Sequence, residues 1–270
     1  MSLNLFANRK PVIGVIHLLP LPGSHRYDGL LEPVFLRAEQ EAASLTTGGV
    51  DGIIIENFFD APFRKNDVDK ATVCALALVV QRLSAITHLP LGINVLRNDA
   101  LSAMAIAATA GAQFIRVNVF TGAMLTDQGI IEGQAPDILL YRRILGCEDK
   151  VKILADVMVK HASPLTPFAD IRQIAKDTVE RGQADAVIVS GVATGSAPNL
   201  EELQLVKEAI PHVPVFVGSG TTSENAPSIV AHADGIIVAS SLKRQGKLEN
   251  PIDVERVRAL VSAVRAAVPN

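Results

Sequence analysis

The amino-acid sequence predicts an α/β fold, a single-domain (β/α)8 TIM barrel, from three observations. Eight short apolar runs rich in Ile and Val are spaced along the 270 residues. A helical pattern follows each run, and continuous apolar runs are typical of parallel strands buried on both faces. Eight strand–helix units in a chain of this size match the barrel. An open doubly wound sheet is the alternative, but no GxGxxG sequence follows the first run.

The position of each apolar run and the turn residues around it define the predicted elements. We expect residues 1–270 to form one domain, since no Ser- or Gly-rich linker divides the chain. The predicted strands are Val12–His17, Asp51–Glu56, Leu91–Val95, Phe114–Val119, Lys152–Val157, Asp185–Ser190, Pro214–Gly218 and Asp234–Val238. The predicted helices are Glu32–Thr47, Asp67–Thr87, Asn98–Ala110, Asp137–Glu148, Phe168–Arg181, Asn199–Ile210, Ser223–His232 and Pro251–Val268.

Three of these strands share a pattern at their start. GGVDGIIIEN begins at Gly48, RGQADAVIVSG at Arg181 and HADGIIVASS at His232. In each, small residues and an Asp precede a β-branched run. Gly or Ala ends the preceding helix and Asp turns the chain, so the pattern indicates repeated units of one architecture.

Composition excludes several classes of partner. The net charge is −3 with a pI near 6.1, and no Lys/Arg stripe indicates a nucleic-acid partner. No run approaches the ~18 to 20 apolar residues that a membrane span needs. The two cysteines form no CxxC pair, and Cys74 is interpreted as a small core residue. The sequence therefore predicts a cytoplasmic protein without a signal peptide.

Two of the predicted outer helices are unusually apolar. Residues 71–80 contain only Thr72 as a polar residue, and residues 100–112 are nearly as apolar. An outer helix normally presents a polar face to water. We therefore predict a homo-oligomer that buries these helices; the alternative is that neighbouring helices cover them.

Polar residues follow nearly every predicted strand. In a barrel, the carboxyl ends of the strands and the loops after them build the active site. We therefore expect these residues to converge at one mouth. They are His17, Glu56, Asn57, Asn94, Arg97, Arg116, Asn118, Asp156, Lys160, His161, Ser190, Gly191, Ser219, Ser240 and Ser241.

The motifs around these residues, taken in order, resemble the BtpA family over essentially the whole chain. They are His17 with PLPG (20–23), DGIIIEN (51–57), GINV (92–95) with RND (97–99), RVN (116–118), TDQG (126–129), ADV (155–157) with KH (160–161), and VGSG (217–220). The resemblance implies a TIM barrel. The family takes its name from photosystem I biogenesis in cyanobacteria, yet similar proteins occur widely in non-photosynthetic bacteria and archaea, so it implies no particular reaction. The chain has Ala239 where the family pattern has Gly, which weakens close backbone approach there.

The loops after the seventh and eighth strands predict a phosphate site. Barrels commonly bind phosphate there, where glycines and helix N-termini expose N–H groups. VGSGTT and ADGIIVASSLK resemble the last quarter of the tryptophan synthase α subunit and other phosphate-binding barrels. The alternative is a Gly turn with Thr222 or Ser223 as helix N-cap. The predicted phosphate ligands are Gly191, Gly218, Ser219, Gly220, Ser240 and Ser241.

Glu56, Asp156 and Lys160 are the predicted catalytic residues. Glu56 ends an apolar strand, so burial is expected to raise the pKa of its carboxyl and fit it for general base catalysis. The alternative is an ion pair with Arg97 or Arg116. Asp156 and Lys160 are expected to act as an acid/base pair, or Lys160 is steered onto a carbonyl or phosphate; a structural salt bridge is the alternative. In the favoured mechanism, Glu56 and Asp156 form the acid/base pair and Lys160 stabilises developing charge.

The remaining strand ends are expected to bind substrate. Asn94, Arg116 and Asn118 would form a polar floor, or a hydrogen-bonded core plug. His17 and His161 would act as acid/base groups or metal ligands. No HxH or HExxH spacing supports a metal, so none is predicted as a cofactor, although a divalent ion remains open.

Two loops are expected to close over the mouth. The connection 121–136 is long for a βα loop and carries Thr126-Asp127-Gln128-Gly129, which is typical of a lid. Pro20-Leu21-Pro22-Gly23 forms a stiffer rim element. Both would exclude water from a site between them.

These observations favour an enzyme acting on a small phosphorylated metabolite, a sugar phosphate or nucleotide-like compound. The expected chemistry is proton transfer next to a carbonyl, as in isomerisation, epimerisation or lyase cleavage. The alternative is a non-catalytic assembly or stability factor, as the family name suggests. A nucleotide phosphatase is a weaker alternative, since the chain lacks GxxxxGK.

Overall fold

Eight parallel strands close into a barrel in the computed structural model, which describes residues 3, 5–6, 10–165, 169–191 and 199–268. The strands in chain order are β1 (Val12–His17), β2 (Gly52–Glu56), β3 (Leu91–Asn94), β4 (Phe114–Val117), β5 (Ala123–Thr126), β6 (Gly129–Glu132), β7 (Lys152–Val157), β8 (Ala162–Pro164), β9 (Ala186–Val189), β10 (Val215–Val217) and β11 (Gly235–Val238). The barrel order is β1-β2-β3-β4-β7-β9-β10-β11, and β11 pairs with β1. The predicted TIM barrel is confirmed.

Helices surround the barrel at the predicted positions, most of them a few residues shorter than predicted. They are α1 (Glu32–Gly48), α2 (Lys70–Ser84), α3 (Ala100–Ala110), α4 (Ala135–Ile144), α5 (Ile171–Lys176), α6 (Leu200–Ala209), α7 (Ala226–His232) and α8 (Val254–Ala267). A π-helical turn, Asp177–Arg181, continues α5, whereas the predicted start at Phe168 lies outside the described residues. Within the described chain, no helix is long and apolar enough to cross a membrane.

The repeated Asp of the sequence pattern clamps neighbouring strands. Each carboxylate accepts the N–H of a residue at the start of the adjacent barrel strand, and a cation on an outer helix pairs with it. The acceptors Asp51, Asp185 and Asp234 bind the N–H groups of Val12, Ile153 and Val215 at 2.7, 2.8 and 2.8 Å. The paired cations are Arg265, Arg142 and Lys207. These residues fasten the end of the barrel opposite the predicted site.

Apolar side chains fill the lower half of the barrel. Ile13, Ile54 and Phe114 belong to this inner cluster and are fully buried. Gly92 makes room for Phe114, because a Cβ at that position would lie 2.1 Å from the phenyl ring. A larger apolar layer lies between the strands and the helices. Because apolar side chains fill the lower barrel, it has no room for polar groups, and the polar residues at the strand ends lie at the upper mouth.

The connection 121–136, which the sequence predicts to be a long loop, is mostly a β-hairpin. Strands β5 and β6 pair antiparallel, and β8 adds to β5 as a third strand. Asp127 and Gln128 form the turn, and Gly129 takes a positive φ of 86° that suits glycine. This small sheet joins the connection after β4 to the one after the neighbouring strand β7, so these two connections are fixed to each other on one side of the mouth.

The interpretation of Cys74 as a core residue is wrong, because its side chain is exposed. It lies on the outer face of α2 with Leu78, which is 46% exposed. By contrast, α3 lies between α2 and α4, and its apolar residues are buried or half-buried. The alternative of cover by neighbours therefore applies to α3, while homo-oligomerisation through α2 stays a prediction.

We expect the Asp185→Ala variant to lose about 1 to 3 kcal/mol of unfolding free energy. The buried N–H of Ile153 and the guanidinium of Arg142 would each lose their acceptor. Urea unfolding checks this, with Asp149→Ala at an exposed position as the matched control. Equal stability of the two variants would contradict the clamp.

Candidate active site

A buried arginine lies at the centre of the barrel mouth. Arg116 of β4 donates from Nε and Nη2 to the two carboxylate oxygens of Asp156 on β7, both at 2.9 Å. Its Nη1 donates to Oε1 of Glu56 on β2 at 3.3 Å. All three residues are buried. Bidentate pairing of this kind is the strongest form of charged hydrogen bond, so Arg116 joins three strands.

Both carboxylate oxygens of Asp156 accept hydrogen bonds from neighbouring side chains. Besides Arg116, its carboxylate accepts from Asn118 Nδ2 and Ser190 Oγ, each at 3.1 Å. In the described part of the chain, Lys160 forms no ion pair within 4.0 Å, so the alternative of a structural salt bridge with Asp156 is not observed. This geometry fits Asp156 to hold Arg116 and Asn118 in place.

Glu56 lies in register with His17 on β1 and Asn94 on β3, which places all three at one level. Its Oε1 accepts from Asn94 Nδ2 at 3.0 Å, and its Oε2 lies 3.6 Å from His17 Nε2. Burial alone would raise the pKa of this carboxyl, as predicted. The charge of Arg116, followed by smaller contributions from its other neighbours, outweighs burial, and the pKa is lowered. The predicted direction is therefore wrong, and Glu56 is ionised at neutral pH.

His17 is neutral in this setting. Burial lowers the pKa of its imidazole to about 3, despite the opposite effect of Glu56. The ring stacks on Phe58, with centroids 4.1 Å apart and an interplanar angle of 13°. Nδ1 is buried and has no hydrogen-bond partner in the described chain. A buried polar atom of this kind calls for a partner from a ligand or water.

Lys160 projects from the segment between β7 and β8. Burial lowers the pKa of its ammonium group, and the charge of Arg116 lowers it further. Arg97 donates from Nη2 to the carbonyl oxygen of Lys160 at 2.7 Å, so Arg97 positions this segment instead of pairing with Glu56. The flanking Met158 and His161 have φ values of 55° and 56°. Such strained backbone is frequent at functional sites.

A narrow cleft of 20 Å³ lies between the loops after β10 and β11. A Cβ on Gly218 would come within 2.4 Å of Ile188 Cγ2, and Gly220 has a φ of 68°. In the described chain, the backbone N–H groups of Gly220 and Thr221 donate to no other group. The cleft is lined by Val15, His17, Glu56, Arg116, Lys160, Gly218, Ser219, Gly220, Thr221, Ile237, Val238, Ala239 and Ser240.

Two of the predicted phosphate ligands lie outside this cleft. Ser241 donates from Oγ to the carbonyl of Thr221 at 2.7 Å and so ties the two loops together. Gly191 is buried beyond β9 and is not among the residues that line the cleft. The predicted N-cap is also displaced, because α7 begins after Asn225 and neither Thr222 nor Ser223 caps it.

A larger cavity of 310 Å³ adjoins the cleft, and Glu56, Arg116 and Lys160 line both. Sequence reasoning missed half of its wall. The pair Phe58-Phe59 directly after Glu56-Asn57 was the available signal in a chain with only nine Phe and no Trp. The cavity is lined by Arg26, Glu56, Phe58, Phe59, Ala61, Phe63, Asn94, Leu96, Arg97, Arg116, Asn118, Asp127, Lys160, His161 and Glu249.

The predicted rim elements flank this mouth. Asp127, at the tip of the hairpin, lines the larger cavity together with Phe58 and Phe59, which come from the connection after β2. Leu21 of the first rim segment donates its N–H to the buried Asp60 at 2.7 Å, which fixes that segment to the connection after β2. Among the described residues, no three His, Cys, Asp or Glu side chains are placed to hold a metal ion.

The chain belongs to the BtpA family, whose sequence model matches residues 8–266. It is 56% identical over 260 residues to the photosystem I biogenesis protein BtpA of Synechocystis, covering 96% of this chain and 89% of that protein. It is 48% identical to an uncharacterized protein of Thermococcus kodakarensis, over 95% of this chain and 96% of the relative.

Solved structures share the fold at low sequence identity. 3-Hexulose-6-phosphate synthase from Salmonella typhimurium superposes with a TM-score of 0.59 at 12% identity, over 96% of this chain and all (100%) of that chain. N-(5'-phosphoribosyl)anthranilate isomerase from Pyrococcus furiosus gives 0.57 at 14% identity, over 95% and 99%. These likenesses establish the TIM barrel and leave the chemistry to the site itself.

The buried neutral His17 makes stability depend on pH. Its pKa is lowered from 6.5 in the unfolded chain to about 3, so its contribution is fully present above pH 6.5 and is lost as pH falls towards 3. Between about pH 7.5 and about pH 5, we expect His17 to account for a loss of about 2 kcal/mol. Urea unfolding of wild type and His17→Gln checks this.

The exposed His88 supplies the control. The His88→Gln variant is expected to keep the wild-type pH dependence, whereas His17→Gln flattens it. An identical slope in all three proteins would show that His17 does not titrate between the folded and unfolded states as described.

Proposed function

We propose that the protein is an enzyme acting on a small phosphorylated metabolite, with the phosphate in the narrow cleft and the reacting carbon in the larger cavity. The observation that carries the proposal is that the two spaces meet at Glu56, Arg116 and Lys160. A substrate that spans both would place its phosphate and its reacting end on either side of these groups. Both fold neighbours named above carry a phosphate in the name of their substrate or product.

Charge supports an anion in the cleft. Arg116 already neutralises Asp156 and interacts with Glu56, while Lys160 has no carboxylate within 4.0 Å in the described chain. The N–H groups of Gly220 and Thr221, which donate to no other group among the described residues, add donors, as in other anion-binding loops. The 20 Å³ of the cleft has room for about one water molecule, so one phosphate oxygen would enter it against Ser240 and the rest of the phosphate would lie at its opening.

The chemistry that fits best is proton transfer next to a carbonyl. Glu56 is ionised and buried, so it can remove a proton from the carbon beside the carbonyl as general base. The ammonium group of Lys160 would stabilise the enolate oxygen, and the proton would return to the same carbon or its neighbour. Asp156 would position Arg116 instead of exchanging protons. Epimerisation and isomerisation share this step, whereas lyase cleavage of a carbon–carbon bond shares only the enolate that Lys160 would stabilise, with the base taking the proton of the hydroxyl group that becomes a carbonyl.

A second candidate is a non-catalytic assembly factor. It is favoured by the name of the Synechocystis relative, a photosystem I biogenesis protein, and by the apolar face around Cys74 and Leu78 on α2. A scaffold has no physical need for Glu56 and Lys160 inside a cavity. If Glu56→Gln leaves every cellular phenotype unchanged while Leu78→Asp abolishes the cellular function of the protein, the scaffold is the better account.

The phosphate cleft predicts selective loss of binding in Ser240→Asp. We expect inorganic phosphate and ribose 5-phosphate to raise the Tm of the wild type, because a ligand that binds only the native state stabilises it. A carboxylate at position 240 would repel the phosphate, so the shift disappears. Ser228→Asp, at an exposed position of α7, is the control and keeps the shift. Equal shifts in both variants would refute the placement.

Glu56→Gln is expected to abolish exchange of substrate protons with solvent deuterium. Losing a general base lowers the rate by about 10² to 10⁴. The measurement is deuterium incorporation by NMR, with a phosphorylated carbonyl compound that raises the Tm. Binding should persist, because the phosphate cleft remains. Unchanged exchange in the variant would remove Glu56 from the role of base.

A further inference from the structure

One wall of the larger cavity is aromatic. Phe58, Phe59 and Phe63 all line it, each half-buried, in a chain whose aromatic residues amount to 4%. Phe58 and Phe59 meet edge to face, with centroids 5.4 Å apart and an interplanar angle of 86°. His17 stacks against Phe58. The three side chains come from the connection after β2, so the wall is one local structure.

This wall does not suit a bare sugar phosphate. A small sugar phosphate offers only narrow C–H patches among its hydroxyl groups, whereas phenyl rings gain most from burying a broad flat or apolar surface. Half-buried phenylalanines that face an open cavity lose this gain while the cavity holds water. An apolar lining with a few placed polar groups is typical of a site for an organic ligand.

The opposite side of the cavity supplies polar partners. Asn118 Oδ1 is buried and accepts no hydrogen bond in the described chain, while its Nδ2 is fixed on Asp156. This oxygen can therefore accept a hydrogen bond from a ligand, either from a hydroxyl or from a ring N–H. Arg26 lies exposed at the rim of the same cavity. A guanidinium there can hydrogen-bond to the edge of a heterocycle or stack on its face.

We propose that the phosphorylated substrate carries a heteroaromatic base, so that its class is a base-bearing sugar phosphate with a carbonyl on the sugar that meets Glu56; nucleoside 5'-monophosphates, which lack that carbonyl, serve as binding probes. The inference rests on the proposed function, because the phosphate occupies the narrow cleft. The base lies against Phe59 and Phe63, and the sugar lies between, beside Asn118. The combined space of a 310 Å³ cavity and a 20 Å³ cleft falls in the range of sites for ligands of this size.

Calorimetric titration of the full chain tests this with named probes. These are inorganic phosphate, ribose 5-phosphate, adenosine and the four monophosphates AMP, GMP, CMP and UMP. We expect at least one monophosphate to bind about tenfold or more tightly than ribose 5-phosphate, because stacking of one base contributes this much. Adenosine alone should bind more weakly than AMP.

Variants of the wall separate recognition from folding. Phe59→Leu is expected to weaken the best monophosphate about tenfold and to leave ribose 5-phosphate unchanged, so the same protein supplies its own folding control. Phe35→Leu, which trims a phenyl on α1 outside the cavity, should change neither affinity.

The outcomes separate this inference from the proposed function. If ribose 5-phosphate binds as tightly as every monophosphate, the base subsite is refuted while the phosphate cleft stands. If adenosine binds as tightly as AMP, the wall stands and the phosphate cleft fails. If no phosphorylated probe binds, both are overturned.

Discussion

The structure depends on one buried cation. Arg116 lies beneath the barrel mouth and donates two hydrogen bonds to Asp156 and one to Glu56. Removing a guanidinium from water costs several kcal/mol, and only well-placed acidic partners offset that. Because these carboxylates come from β7 and β2, the ion cluster fixes three strands of the upper barrel. At the opposite end of the barrel, the Asp carboxylates and their outer-helix cations fasten the strands, and apolar side chains fill the space between the two ends.

The same cluster assigns different tasks to residues of the same type. Asp156 accepts four hydrogen bonds and serves as an anchor, whereas Glu56 keeps one oxygen directed only at the neutral His17, 3.6 Å away. Arg116 keeps Glu56 ionised against the effect of burial. Glu56 and Asp156 together exceed its single positive charge by one, and Lys160 balances that excess. Arg97 is buried beside them, forms no ion pair within 4.0 Å in the described chain and so adds a net positive charge to this buried cluster. The site is therefore biased towards an anionic ligand.

Sequence patterning predicted the barrel and the level of the site. Buried parallel strands give continuous apolar runs in the sequence, and each run ends at the polar residues of the barrel mouth. Sequence patterning could not decide which arginine meets Glu56, since Arg97 comes just after β3 and Arg116 lies within β4, and only three-dimensional placement separates them. The hairpin of β5 and β6 was missed because its third strand, β8, comes from a distant loop. Cys74 was misassigned because this helix is apolar on nearly all sides, so the sequence does not show which of its faces is buried.

The most direct test of this account is a crystal structure of the protein grown with inorganic phosphate. We predict a phosphate ion in the narrow cleft, bound by the N–H groups of Gly220 and Thr221 and facing the ammonium group of Lys160. Arg116 should remain on its two carboxylates, since they leave it no capacity for the anion. A structure with phosphate bound elsewhere and the cleft empty, or with Arg116 released from Asp156 to hold the ion, would contradict the account.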